Sequence, residues 1–352
     1  MRKNSLDFLK SMLTSPSPSG YEQPVQKVWR EYVKEYAEVH TDTHGNTIGE
    51  INSQKASRIL FTGHCDEIGF MVRYIDDKGF LYFGAIGGFD ESIIAGRRIT
   101  IHTSKGPVPG VIGKTPIHLM KPEDRKKGSE IKDLWIDIGV KNKKEAESLV
   151  SIGDPVTYTY DFMELRKEIA VARGFDDRIG SFIVAEVLRT LSSSKKLSSA
   201  VYSVSTVQEE IGLRGAQTSA YGVDPLVGIA TDVTFATDQP GVDEKQVGDI
   251  KLGGGPVIAR GPNINPRVFD LLVKTAKKLK IKYQVEGISR ATGTDANAIQ
   301  VTRAGVAAGL VSVPVRYMHT PVETLDLSDV EGAIKLMAGF AEEVKPSMKF
   351  IP

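Results

Sequence analysis

The stretch "RILFTGHCDEIG", residues 58–69, decides the architecture. Arg58 to Gly63 are nearly all apolar or small, as a strand buried on both faces requires. His64 and Asp66 follow at once. In open α/β sheets, ligands gather at the C-terminal ends of the strands, so this strand reads as one that delivers polar groups to such an edge.

Downstream of residue 170, helix and strand alternate. A helix starts near Asp177 and runs through Phe182, Val184, Val187 and Leu188. The strand "AVYSVSTV", a short helix after Glu210 and the strand "LVGIATD" follow. Then come a helix over 266–280, a strand over 281–286, a helix over 294–303 and a last strand, "VAAGLVSV". A final helix begins at Ser328, where Ser328 and Glu331 form a capping-box pattern. Alternation of this kind predicts a mostly parallel sheet covered by helices.

Upstream, Leu6, Leu9 and Leu13 mark an amphipathic helix stopped by Pro16 and Pro18. Val25, Val28, Trp29, Tyr32, Val33 and Tyr36 give a second helix over 23–37, and a strand is expected around 46–52. Between 70 and 160 the texture changes to short β-like runs: "GFMVRYI", "GFLYFGAI", "RRITIHT", "GPVPGVIG", "LWIDIGV" and "DPVTYTY". Turn residues separate them, and a helical pattern intervenes only near 143–150, so a small all-β domain is expected. The charged loop "KPEDRKKGSEIKD" within it reads as solvated. The expectation is an α/β domain over 1–69 and 161–352, with a mixed, mostly parallel sheet. A barrel-like β domain over 70–160 interrupts it.

With 352 residues, the chain is long enough for two domains and a sizeable core. A net charge of +1 excludes a strong electrostatic pull toward nucleic acid or anionic membrane. Cys65 is the sole cysteine, which rules out an internal disulfide and fits a reducing cytoplasm. No apolar run reaches the ~20 residues that span a bilayer. A cytoplasmic location is expected.

Four strands thus bring metal-capable groups to one sheet edge. His64 follows "RILFTG", Glu209 and Glu210 follow "AVYSVSTVQ", Asp232 ends "LVGIAT", and His319 lies six residues past "VAAGLVSV". Asp176, in "RGFDDRIG", completes the set. Two cations roughly 3.5–4 Å apart need a bridging carboxylate, and Asp176 is the candidate. Imidazoles from His64 and His319 would complete opposite ends, with Asp232 and Glu210 taking one metal each. Asp66 is placed to accept the other ring N–H of His64. Glu209 would stay unligated as the base. The mixture of histidine and carboxylate suits zinc first and cobalt second, or manganese, over magnesium or calcium. Each piece alone has a bland alternative: H-x-D is ordinarily a surface accident, paired glutamates are common on solvated helices, and Asp177 reads as a first-turn acid. Cys65 would point away from the ligands, as a small core residue.

The motifs "GHCDEIG", "FDDRIG", "QEEIGLRGA", "GTDANAI" and "YMHTPVET", with "PSPSGYE" and "GGGP", closely resemble the M42 metallo-aminopeptidases. The resemblance covers essentially the whole chain. It implies one metal held by His64, Asp176 and Asp232, a second held by Asp176, Glu210 and His319, and Glu209 as general base. It further implies that the β insert is a dimerisation domain, that dimers build a hollow tetrahedral dodecamer, and that the substrates are peptides. The loops around Gly254 and around Gly293, Thr294 and Asp295 are expected to wall the pocket for the first side chain. The reaction implied is attack of a metal-bridging hydroxide on the first carbonyl. Rival readings are a metal-independent, cellulase-like glycoside hydrolase, a deacylase or carboxypeptidase on the same two-metal core, and a non-catalytic scaffold with a structural metal site.

Overall fold

The computed structural model describes residues 1–123, 125, 128–160 and 162–352. Its centre is an eight-stranded mixed sheet. In spatial order the strands are Glu38–Thr41, Thr47–Ile51, Ala200–Thr206, Arg58–His64, Val227–Phe235, Ala307–Val315, Val257–Arg260 and Gln284–Gly287. The four middle strands, Ala200–Thr206 to Ala307–Val315, are mutually parallel. Their runs are buried almost throughout, as strands covered on both faces must be.

Register fixes the site. Thr206 pairs with His64. Ala230 pairs with Thr62, so Asp232 and His64 each lie two residues further along adjacent strands. The strand carrying Asp232 does not end there, as expected from the sequence, but continues to Phe235. The helix Phe175–Leu191 is buried along nearly its whole length against this sheet. Its regular part begins only after Asp177, because Asp176 and Asp177 are non-helical. Gly63 makes the close approach possible: a Cβ there would sit 2.2 Å from the carbonyl carbon of Gly180.

The segment from Gly69 to Tyr158 forms a closed six-stranded barrel with its own core around Phe70, Val72, Ile99, Ile101 and Ile136. All six β-like runs read between 70 and 160 are strands of this barrel, and Lys143–Leu149 is a helix. Most described residues of the charged loop are exposed. Its Asp124, Lys126 and Lys127, and Asp161 beside the expected boundary, lie outside the described residues.

Several expectations need correction. "VAAGLVSV" is not the last strand: Glu323–Asp326 follows it and pairs with Ile169–Ala172, which in turn pairs with Met163–Arg166. These strands, with Glu38–Thr41 and Val257–Arg260, have four residues each, too few for alternation to show. The helix expected over 294–303 spans only Asp295–Ile299. Ser328 does not cap the last helix. Asp326 does, accepting the Ser328 N–H, while Glu331 pairs with the Met1 ammonium at 2.6 Å. No helix among the described residues is long and apolar enough to cross a membrane.

Candidate metal centre

Asp176 stands between two imidazoles. Its Oδ1 is 3.3 Å from His64 Nε2 and its Oδ2 is 3.2 Å from His319 Nε2. Glu210 Oε1 lies 3.5 Å from His319 Nε2, and Glu209 Oε2 lies 3.7 Å from His64 Nε2. Ligand atoms of His64, Asp176 and Glu210 converge within 4.8 Å, and so do those of His64, Glu209 and Asp232. The grouping therefore differs from the implied one at two points: Glu210 joins His64, and Glu209 stands beside Asp232 at donor distance.

Both histidines are oriented in the same way. His64 Nδ1 is 3.1 Å from the Asp66 carbonyl, and His319 Nδ1 is 3.0 Å from the Gly88 carbonyl. A carbonyl can only accept, so each Nδ1 carries a proton, and when the ring is neutral Nε2 is the nitrogen with the lone pair. The expected Asp66 carboxylate partner is farther, at 3.4 Å. That carboxylate instead accepts the main-chain N–H of Glu209 at 3.0 Å, the N–H of Glu210 at 3.2 Å and the Ser19 hydroxyl at 2.7 Å. Asp66 thus aims the glutamate pair.

One further acid, Glu323, escaped sequence reasoning, and Asp177 does more than the first-turn role expected of it. Asp177 accepts the N–H of His64 at 3.2 Å and caps its own helix through Gly180 at 2.9 Å. Glu323 accepts the N–H of Asp176 at 3.0 Å and that of His319 at 2.9 Å. The only available signal for Glu323 was its place in "HTPVE", four residues after His319. Gly88, in the β segment, carried none.

The electrostatics are those of a dry, over-acidic cluster. Burial, then Asp232, Asp295 and Glu210, push the Glu209 carboxyl up to about 10 against the pull of His64. Burial and Asp176 raise Glu210 to about 8, and burial and Asp176 likewise raise Asp232 to about 8. Burial also works on His64, pulling it down, but Glu209, Asp176 and Asp66 outweigh it and hold the ring above the ordinary imidazole range. Asp176 moves the other way: hydrogen bonds to His319 and His64 overcome its burial and depress it. Glu210 Oε1 is buried without a hydrogen-bond partner. Four carboxylates facing two imidazoles in a largely buried cluster can all ionise near neutral pH only if cations offset their charge. The nitrogen and oxygen donors match a borderline metal such as zinc. The residues therefore fit the divalent cations inferred from the sequence.

The centre opens into a cavity of about 460 Å³. Gly293 and Thr294 line it. Asp295 and Gly254, expected beside them, do not. Asp295 is buried and accepts the Thr206 hydroxyl at 2.7 Å, while Gly254 packs against Gln284 in a loop whose neighbours, Gly253 and Gly255, donate to Asp329. Cys65 is fully buried.

The profile of the M42 glutamyl aminopeptidase family matches residues 45–336. A lysyl aminopeptidase from Pyrococcus furiosus is 39% identical over 98% of this chain and 99% of its own. The crystal structure of a TET aminopeptidase from a marine sediment thaumarchaeon superposes with a TM-score of 0.93 at 35% identity, covering 97% of each chain. The TET1 peptidase of Pyrococcus horikoshii, described as assembling into a tetrahedron or a large octahedral shell, gives 0.87 at 35% identity, over 97% of this chain and 100% of its own. Fold and relatives together define a peptide-bond hydrolase. The chain belongs to the M42 glutamyl aminopeptidase family.

Proposed function

We propose that this protein is a dinuclear metal-dependent aminopeptidase that removes residues one at a time from peptide N-termini. The observation that carries the reading is Asp176 set between His64 Nε2 and His319 Nε2, at 3.3 and 3.2 Å. A carboxylate with an imidazole on each oxygen is the natural bridge between two cations. His64, Asp176 and Asp232 would hold one, and Asp176, Glu210 and His319 the other, with zinc preferred and cobalt the alternative. Bound ions would supply Lewis acidity and make water a competent nucleophile near neutral pH.

The chain's own groups do the rest. Glu209 takes a proton from the attacking water at its carboxylate and returns it to the leaving amine. Asp66 holds the main chain of Glu209 and so fixes where that carboxylate reaches. The carbonyls of Asp66 and Gly88 keep the two rings in the tautomer that faces Asp176. A metal-free glycosidase would leave both histidines without a task.

The domain reading belongs to the same proposal. Residues 1–69 and 161–352 make the catalytic part, and 70–160 make the dimerisation part. The assemblies described for the Pyrococcus horikoshii relative support self-association through dimers into a dodecamer, in which peptides rather than folded proteins reach the site. A cytoplasmic setting belongs to the proposal, and a lone, buried cysteine fits a reducing compartment. The test is a panel of aminoacyl chromogenic substrates, run on metal-stripped protein reloaded with zinc, cobalt or manganese. Cleavage that survives stripping would overturn the reading. So would equal cleavage of N-acetylated peptides, which would favour a deacylase or carboxypeptidase.

A further inference from the structure

Moving outward from Asp232 along Val227–Phe235, the next side chain on the same face is Thr234, roughly 6.5–7 Å further along. Thr234 Oγ1 donates to Glu286 Oε2 at 2.8 Å. Glu286 sits on Gln284–Gly287, the edge strand of the sheet, and lines the cavity that opens from the metal centre. Outside the central acids, Glu286 and Arg290 are the charged residues of that lining among the described residues.

The two differ in kind. Arg290 is exposed, so water satisfies its charge. Glu286 is partly buried and held in one place by Thr234. Burial pushes its carboxyl up, Thr234 alone pulls it back, and no cation contributes. A carboxylate drawn out of water with no positive partner is a costly arrangement that a cationic ligand would relieve. Ile288, Leu310 and Met318 line the same cavity and offer apolar surface for a methylene stem.

We propose that Glu286 is the specificity-determining residue for the first side chain of the peptide, and that this side chain is a cation, lysyl or arginyl. The proposal rests on the aminopeptidase reading, which places the scissile carbonyl at the metal centre and the first side chain in the cavity beyond it. An acidic first residue would meet Glu286 as a like charge and be disfavoured twice, by repulsion and by the unmet carboxylate.

The test uses the metal-loaded protein and four p-nitroanilides: lysyl, arginyl, norleucyl and glutamyl. Norleucine keeps the stem of lysine without its charge. Wild-type kcat/KM should favour lysyl over norleucyl by about tenfold, the ratio that ~1.4 kcal/mol of pairing produces. The Glu286→Gln variant should lose that ratio, and Glu286→Lys should reverse the order of lysyl and glutamyl. Calorimetric binding of lysine amide against norleucine amide reports the same selectivity without turnover. Absence of cleavage with lysine amide still preferred would sink the aminopeptidase reading and uphold the cation pocket. Equal losses on all four substrates in Glu286→Gln would mean that Glu286 takes the α-ammonium instead. A wild-type preference for glutamyl would give the pocket to Arg290. Either result overturns the proposal.

Discussion

Glu323 Oε2 accepts the main-chain N–H of Asp176 at 3.0 Å. Through its other oxygen the same carboxylate accepts the N–H of His319 at 2.9 Å. One side chain therefore holds the backbone of the aspartate proposed as the bridge and of the histidine that faces it. The site's geometry depends on a residue that touches neither proposed cation.

A change at Glu323 should therefore act through the ligands. Glu323→Gln keeps the size but offers one carbonyl oxygen and one amide nitrogen, and the amide would point at an N–H. Supporting contacts of this kind are worth about 10–100-fold in metal affinity. Zinc titration against a competing chelator should show that loss with the fold intact by circular dichroism. Unchanged affinity would mean that Glu323 is a buried acid without influence on the site.

The same reasoning applies across the two parts of the chain. Gly88 lies in the β segment and fixes the tautomer of His319 through its carbonyl. Deleting residues 70–158 and joining the ends with a short linker should cost His319 that partner. The shortened chain should bind the first zinc ion more tightly than the second, and the two steps should separate in calorimetry. Two steps no further apart than those of the full chain would show that His319 needs no help from the β segment.

Much of this was readable before the fold. The parallel strands announced themselves because Arg58–His64 and Val227–Phe235 are long and buried on both faces. Likewise His64, Glu209, Glu210, Asp232 and His319 follow apolar runs that read as strands, and Asp176 opens a helical pattern. What could not be read is the layer that holds them. Asp66 serves main-chain N–H groups 143 and 144 residues away, Glu323 one 147 residues away, and His319 leans on a carbonyl 231 residues away. Every residue except proline has a main-chain N–H and every residue a carbonyl, so these contacts leave no compositional trace. Glu286 escaped for a related reason: its significance lies in the cavity it lines rather than in any spacing.

The acid cluster makes a prediction about pH. Without metal, Glu209 is pushed up to about 10, and Glu210 and Asp232 to about 8. The folded protein then holds protons that the unfolded chain has released, so its stability declines as pH climbs through this range. His319 is raised to about 9, chiefly by its hydrogen bond to Asp176, and His64 is raised as well. Their contribution is complete below the ordinary imidazole value and fades as pH passes their folded values, which is the same direction. Asp176, depressed, acts only at the acid end, where its contribution is lost as pH falls. Chelator-treated protein should melt at a lower temperature near pH ~9.5 than near pH ~6, and saturating zinc should remove most of the difference. A melting temperature that rises toward alkaline pH without metal would contradict the charge balance drawn for the site.

Glu209 poses the sharpest question, because its carboxylate stands 3.7 Å from His64 Nε2 and close enough to Asp232 to ligate a metal. As a base, it must be free to exchange protons; as a ligand, it must not. Glu209→Gln separates the two roles, since glutamine keeps the shape and the main-chain contact to Asp66 but cannot take a proton. If Glu209 is the base, both metals stay bound and kcat falls by about 10²–10⁴-fold with KM nearly unmoved. If it is a ligand, metal content drops to one per chain, and excess metal restores activity in proportion. The companion variants His64→Ala and His319→Ala calibrate the measurement, because loss of either imidazole should lower metal content directly. Near-normal turnover in Glu209→Gln would remove Glu209 from the chemistry and leave the proton transfer to another group facing the cavity.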